Sequence, residues 1–403
     1  MKSLRFITPT LYALASITVL AGAAVAPALD EIAGNFPQVD PIFIKMLITI
    51  PAIMVIPFSM ISHKLSEHFG KKRVLLIGLF LYFVGGCGGG LVSNIWLLLG
   101  SRAVLGMGMG IITPVSHALP SEFYAGKERV RVVGRMSAFI TIGAAVCSIA
   151  AGWLALLSWR ASFAVYAGSL PVALMVFLFL PLLKEEKKTG IHAEEKPSAN
   201  TLPLRVWGLA FAMLLYMAVF YTFPLGIALY LKESGLGDAT LAGYLLALLS
   251  VVAFCIGLVF QTCMNLFGRM LLPVVLFCMG LGYVLTSQAT GTFMILAGGC
   301  LAGVGLGVLT PYILLAVNRA VPRELTGKAM SLAIAGNFTG QFLSPFLSRL
   351  IETLPFVGSS GKAYGFLGLA LFAAGGIALM MRLFPEKDNP HGKKEGMEEQ
   401  GQH

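Results

Sequence analysis

Gly106-Met107-Gly108-Met109-Gly110-Ile111-Ile112-Thr113-Pro114 returns later in the chain as Gly303-Val304-Gly305-Leu306-Gly307-Val308-Leu309-Thr310-Pro311. Three glycines, a threonine and a proline are kept at a constant offset of 197 residues. Phe69-Gly70 recurs as Phe267-Gly268 at an offset of 198, and Gly134-Arg135 as Gly327-Lys328 at 193. Offsets close to half of a 403-residue chain indicate two duplicated halves in parallel orientation.

The composition says what the halves are made of. The chain is 57% hydrophobic and 12% charged, against about 25% charged residues in soluble domains. That excludes a water-soluble fold. A helix needs roughly 20 apolar residues to cross the hydrocarbon of a bilayer, and such stretches are expected at 9–29, 42–61, 74–92, 96–119, 132–154, 161–183, 204–231, 240–261, 271–286, 292–317, 328–350 and 363–383. The expectation is an all-α membrane protein of twelve transmembrane helices in two pseudo-symmetric six-helix halves. The start of the chain, with Lys2 and Arg5 before an apolar run, imitates a signal peptide, but apolar segments continue to the end and it is read as an uncleaved first helix.

Charge orients the bundle. With the N-terminus in the cytoplasm, 23 of the 29 Lys and Arg residues fall on the inner side, so both termini are expected there. The net charge of +10 is spread over short loops rather than gathered in a patch, which argues for topology and against a nucleic-acid partner. The mixed-charge stretch 184–203 (KEEKKTGIHAEEKPSANTLP) reads as a cytoplasmic linker between an N-terminal half, 1–183, and a C-terminal half, 204–384. The segment 385–403 reads as a disordered cytoplasmic tail. The six cysteines all lie in apolar segments without metal-ligand spacing, and no phosphate-binding G-x-x-x-x-G-K-S/T loop is present. No cofactor and no metal is expected.

The turn after the second apolar segment, His63-Lys64-Leu65-Ser66-Glu67-His68-Phe69-Gly70-Lys71-Lys72-Arg73, resembles the signature G-x-x-x-D-x-x-G-R-K-x of the major facilitator superfamily, with Glu67 in place of Asp and His63 in place of the first Gly. The resemblance extends over the twelve-helix layout and implies the major facilitator fold. It also implies a cytoplasmic gate at Glu67, Gly70, Lys71, Lys72 and Arg73. Arg102-Ala-Val-Leu-Gly106-Met-Gly108-Met-Gly110 resembles the R-x-x-x-G-x-G-x-G element of the twelve-helix drug-proton antiporter branch, which implies proton coupling through Arg102. The fifth segment, Gly143 to Gly152, keeps small residues but lacks that branch's Gly-Pro core.

A charge inside the bilayer persists where it has a partner or a wet cavity, so Arg102 either sits in such a place or lies near an end and snorkels. Asp30, at the end of the first helix, is either a proton site or a solvated helix end. His117 and Glu122, at the inner end of the fourth helix, read as interfacial structure, with Lys127 or Arg129 as partners for Glu122. Met107, Met109, Tyr216, Phe220 and Tyr221 offer an adaptable apolar wall. Asn337 and Gln341, one turn apart, offer amide groups to a cavity.

The first functional expectation is proton-driven export of small hydrophobic or amphipathic compounds by alternating access. The second is proton-coupled uptake of a small metabolite or organic anion, with Arg102 or Arg160 meeting its carboxylate, and a membrane receptor or scaffold comes third. The expected partners are a small-molecule substrate, protons and the lipid bilayer, for a monomer in the plasma membrane of a bacterium.

Overall fold

Helix boundaries follow local chemistry. Asp40, Asn94 and Asp238 each stand just before a helix and accept a backbone N–H from its first turn, at 3.0, 2.8 and 3.0 Å. This satisfies donors that an uncapped start would leave bare. At the other end of the helix that Asp40 begins, Gly70 stops the chain with φ 79°, and its repeat partner Gly268 adopts φ 48°, a region that residues with a Cβ rarely enter. The Phe-Gly repeat of the sequence is thus a repeated helix stop.

The computed structural model describes residues 4–17, 22, 24–181, 202–322, 325–355, 357–358 and 360–383. Its long helices are α1 (Leu4–Ile17), α2 (Pro41–Phe69), α3 (Lys71–Gly88), α4 (Ile95–Ala118), α5 (Gly126–Leu157), α6 (Ser169–Phe179), α7 (Leu204–Glu233), α8 (Ala239–Leu258), α9 (Leu271–Ser287), α10 (Thr292–Arg319), α11 (Thr326–Glu352) and α12 (Ser360–Leu383). No strand occurs among the described residues. The expected linker 184–203 lies outside the described residues except for its last two, and the expected tail 385–403 lies wholly outside them.

The packing repeats with the sequence. In the first half α1 lies on α5, α2 on α4, and α3 on both α4 and α6; in the second half α7 lies on α11, α8 on α10, and α9 on both α10 and α12. Each pairing maps onto the other by adding six to the helix number. The halves meet along α2 against α11 and α5 against α8, two seams that the same operation exchanges.

The repeated glycines are what allow these approaches. A Cβ on Gly106 would lie 2.6 Å from Pro51 Cα in α2, and one on Gly303 would lie 2.7 Å from the Leu249 carbonyl in α8. Both are closer than real Cβ atoms come to backbone, so α4 and α10 reach α2 and α8 only because these positions have no side chain. At the α5–α8 seam Gly152 and Gly243 serve the same purpose, with a Cβ on Gly243 placed 2.6 Å from the Ser148 carbonyl.

Among the described residues, ten helical segments are long and apolar enough to cross a membrane. The two expected spans that fall short do so for different reasons. In the first, the described helix ends at Ile17; a 3-10 turn at Ala26–Ala28, with Pro27 in it, and a separate helix Leu29–Asn35 follow. The backbone therefore turns helical again beyond the expected end at residue 29. The second, α11, is 27 residues long but carries Asn337, Thr339, Gln341, Ser344 and Ser348. Part of that polarity is turned to other helices, with Ser344 and Ser348 buried, while Ile334, Phe346 and Leu350 of the same helix are exposed. The outer surface of the bundle is apolar, with Phe80, Trp96, Trp153, Phe177, Phe211 and Phe293 more than half exposed, as a bilayer requires and water would not tolerate.

Candidate functional site

A cavity of about 270 Å³ lies where the two halves face each other. From the first half it is lined by Gly22, by Ile48, Pro51 and Ala52 of α2, by Met109, Thr113 and His117 of α4, and by Ile140 of α5. From the second half come Tyr221 of α7 and Asn337, Phe338 and Gln341 of α11. Three of the four residues that line it from the second half are thus on or beside the amide pair of α11. Gln341 Nε2 donates to Asn337 Oδ1 at 2.7 Å, which orients both amides from one helix face.

Four residues expected at a cavity reach it: Met109, Tyr221, Asn337 and Gln341. Met107, Tyr216 and Phe220 do not line it. Met107 lies two residues before Met109, about 200° round the helix, and so points away. Phe220 is buried beside Tyr216 and Tyr221, with ring centroids 6.1 and 5.7 Å apart, while Tyr216 is placed next to Thr310 in the second half. Thr113 and His117 were not expected at a cavity, although Met109, Thr113 and His117 follow at i, i+4 and i+8, the spacing of one helix stripe. His117 Nδ1 lies 2.8 Å from the Thr113 carbonyl, and the Thr113 hydroxyl donates to the Met109 carbonyl at 2.8 Å. Glu122 meets Lys71 in an ion pair rather than Arg129, and the side chain of Lys127, the other expected partner, lies outside those described.

Arg102 is fully buried and does not line the cavity. Its Nη1 donates to the Tyr166 hydroxyl at 2.9 Å, and Nη2 to the Gly85 and Gly86 carbonyls at 3.1 and 2.9 Å. Its guanidinium lies over the rings of Phe163 and Tyr166 at 4.6 and 4.8 Å. Burial excludes snorkelling. The charge is met by carbonyl dipoles and aromatic faces, all within the first half, between α3, α4 and the 3-10 stretch Ala161–Gly168. A Cβ on Gly89 would lie 2.9 Å from the Arg102 guanidinium, so the glycine-rich end of α3 is shaped to this side chain. Arg160, the other arginine considered for a substrate carboxylate, donates to Ser93 at 2.9 Å and stacks on Trp159 at 4.9 Å, away from the cavity lining.

Asp30 stands elsewhere, on the helix Leu29–Asn35, and pairs with Lys232 of α7 at 2.9 Å. It belongs to a set. At the end of the bundle where α2 begins and α11 finishes, three ion pairs among the described residues join one half to the other: Asp30–Lys232, Asp40–Arg349 at 2.6 Å and Lys45–Glu352 at 2.7 Å. At the opposite end, Gly70 turns the chain between α2 and α3, Lys71 holds Glu122, and Lys72 lies 5.5 Å from the Phe177 ring of α6. Glu67 and Arg73 are exposed beside this turn.

The model of the Major Facilitator Superfamily matches the chain over residues 11–345 and 267–403. The 3-(3-hydroxy-phenyl)propionate transporter of Escherichia coli is 25% identical over 331 residues, 79% of this chain and 81% of that one. The multidrug transporter protein MdtP of Bacillus subtilis is 23% identical over 43% of this chain and 31% of its own. The alignments to several curated relatives, MdtP among them, span 17–31% of those proteins' own lengths. Among solved structures, a D-xylose-proton symporter superposes with a TM-score of 0.71 over 92% of this chain and 97% of its own, at 16% identity. At that identity the likeness concerns the fold.

Proposed function

The chain belongs to the Major Facilitator Superfamily, and on that premise we propose that it is a proton-coupled secondary transporter of small amphipathic organic compounds, neutral or weakly acidic. It is a membrane transporter and not an enzyme. The observation that carries the substrate reading is the cavity. Both halves line it, so rocking one half against the other would expose the same residues to either side in turn. The three ion pairs Asp30–Lys232, Asp40–Arg349 and Lys45–Glu352 hold one end together. The charge bias of the loops supports reading that end as the outer one. This supports reading the described arrangement as closed to the outside, with the gate residues Glu67, Gly70, Lys71, Lys72 and Arg73 controlling the cytoplasmic end. Protonation of Asp30 would release Lys232 and loosen the outer contact, a route by which a proton enters the cycle. Arg102, whose hydrogen bonds all stay within the first half, is not in contact with this pair.

Cavity chemistry reorders the two transport readings. The described lining holds no carboxylate, so a lipophilic cation would leave water without a counter-charge, at a cost that burial makes large. A small compound with an aromatic or aliphatic body and a few polar atoms fits Met109, Tyr221 and Phe338 on one side and the Asn337 and Gln341 amides on the other. A relative that aligns over most of both chains is named for an aromatic carboxylate, which supports weak-acid uptake. Export of amphipathic compounds stays as the second reading, supported by the relative named as a multidrug transporter.

The test is purified protein in liposomes with an imposed inside-alkaline pH gradient. The initial rate of radiolabelled 3-phenylpropionate uptake is expected to exceed that of protein-free liposomes under the same gradient, which measure passive entry of the neutral acid, and the excess should vanish with a protonophore. If that probe shows no such excess while a fluorescent lipophilic cation moves against the proton gradient, export is the function.

A further inference from the structure

Among the described residues that line the cavity, His117 is the one able to carry a positive charge. The inference rests on the weak-acid reading above and concerns how such a substrate is held. A carbonyl oxygen only accepts, so the 2.8 Å contact between His117 Nδ1 and the Thr113 carbonyl requires Nδ1 to carry hydrogen. The neutral ring is thereby held in one tautomer, and Nε2 is its basic atom. Thr113 cannot reverse this, because its hydroxyl is already turned to the Met109 carbonyl.

We propose that His117 is the anion-binding and proton-carrying residue of the cavity: protonated on Nε2, it donates a charge-assisted hydrogen bond to the carboxylate of a small organic acid. Histidine is the side chain whose ordinary titration falls between about pH 5 and 8. His117 is exposed, so water can deliver the proton. Proton and carboxylate then enter as a pair without net charge, which lowers the electrostatic cost of occluding them when the halves close. Each raises the site's affinity for the other by the same factor, and the thermodynamic result is symport. The substrate's carboxylate sits at α4 of the first half, and the Asn337 and Gln341 amides of α11 take polar atoms at its other end, so one molecule contacts both moving halves.

The charged groups on elements packed against α4 lie toward its two ends, and the other titratable ones, Tyr12 of α1 and Tyr82 and Cys87 of α3, stand outside the cavity lining. Lys64, Glu67 and His68 are at the end of α2 and Lys45 near its start; Lys71, Lys72 and Arg73 open α3, and Glu122 lies on the short helix Pro120–Phe123. Lys71 and Glu122 are engaged with each other, and Lys45 with Glu352. None of these groups is in the cavity lining.

The experiment measures binding of 3-phenylpropionate and of its uncharged analogue 3-phenylpropionamide to the purified full chain from pH 5.5 to 8, a range in which the acid stays ionised. The carboxylate should bind about 10- to 100-fold more weakly at pH 8 than at pH 5.5, the span of a charge-assisted hydrogen bond, while the amide should show no pH dependence. His117→Gln should abolish the pH dependence, and a melting temperature close to that of the unaltered chain reports that the variant is folded. His117→Arg should bind the carboxylate equally across the range. Carboxylate binding without pH dependence in the unaltered chain, or pH dependence that persists in His117→Gln, overturns the assignment while leaving the weak-acid reading standing. Binding of neither probe at pH 5.5 overturns both.

Discussion

Lys45 of α2 lies 2.7 Å from Glu352 of α11, and Ser348 bridges them, accepting from Lys45 at 2.8 Å and donating to Glu352 at 3.0 Å. The lysine is 3% exposed and its partners belong to the other half, so a buried charge in one half depends on a charge in the other. A buried ion pair is strong when one partner is removed alone, because the remaining charge is stranded; replacing both with apolar groups is much milder.

Glu352→Gln is therefore expected to weaken the contact between the halves at this end by about 3–5 kcal/mol, while Lys45→Met combined with Glu352→Met restores most of the loss. Distances between spin labels at the start of α2 and the end of α11 report the effect. The single variant should add a population with a longer distance and the double variant should suppress it. Equal distributions in all three proteins would mean that the pair does not hold the halves together.

Arg102 should behave as a packing residue of the first half rather than as part of the cavity. Arg102→Lys keeps the charge but cannot reach Tyr166, Gly85 and Gly86 with one planar fork, and is expected to cost about 2–4 kcal/mol. Thermal unfolding should shift downward, while affinity for 3-phenylpropionate should stay within about twofold at constant pH. A large loss of affinity in a variant of unchanged melting temperature would return Arg102 to the binding machinery.

Gly106→Ala is expected to destabilise by about 1–3 kcal/mol, since its Cβ would meet Pro51 Cα at 2.6 Å and force α4 off α2. Gly134→Ala is the control, because a Cβ there has nothing within 4 Å. The yield and melting temperature of the two purified variants check this. A Gly106→Ala protein as stable as the control would show that the α2–α4 approach is not tight.

Gln341→Ala removes a cavity amide and leaves the Asn337 carbonyl oxygen without its donor. Binding of 3-phenylpropionamide should fall about 5- to 30-fold, the worth of one to two hydrogen bonds. Met107→Leu, off the cavity, should change it little. Isothermal titration on both variants distinguishes them, and equal losses would show that the cavity extends past Met107.

Much of the fold was legible because membrane insertion writes itself into linear sequence. An apolar run long enough to cross the hydrocarbon has few structures open to it other than a helix, and duplication leaves matching glycines where matching helices touch. The site was half legible. Asn337 and Gln341 stood out because amides in an apolar segment need partners, and in the structure both line the cavity. Aromatics carry no such signal, since Tyr221 in the cavity and Phe220 buried beside it look alike in a list of residues. His117 was read as interfacial because its distance from a helix end says nothing about which way its stripe faces.

The sequence by itself determined that this chain is a duplicated helical membrane protein with the major facilitator pattern, because hydrophobic length and repeat spacing are local properties of the chain. Only the tertiary structure decided what each charge does. Arg102 and Asp30, both candidates for one proton path, lie in separate networks, one closed inside the first half and the other joining the halves. Lys45, unremarkable in sequence, is buried against Glu352 from more than three hundred residues away. The stability and the role of a charge in a membrane protein depend on which groups surround it, and those groups arrive from other helices.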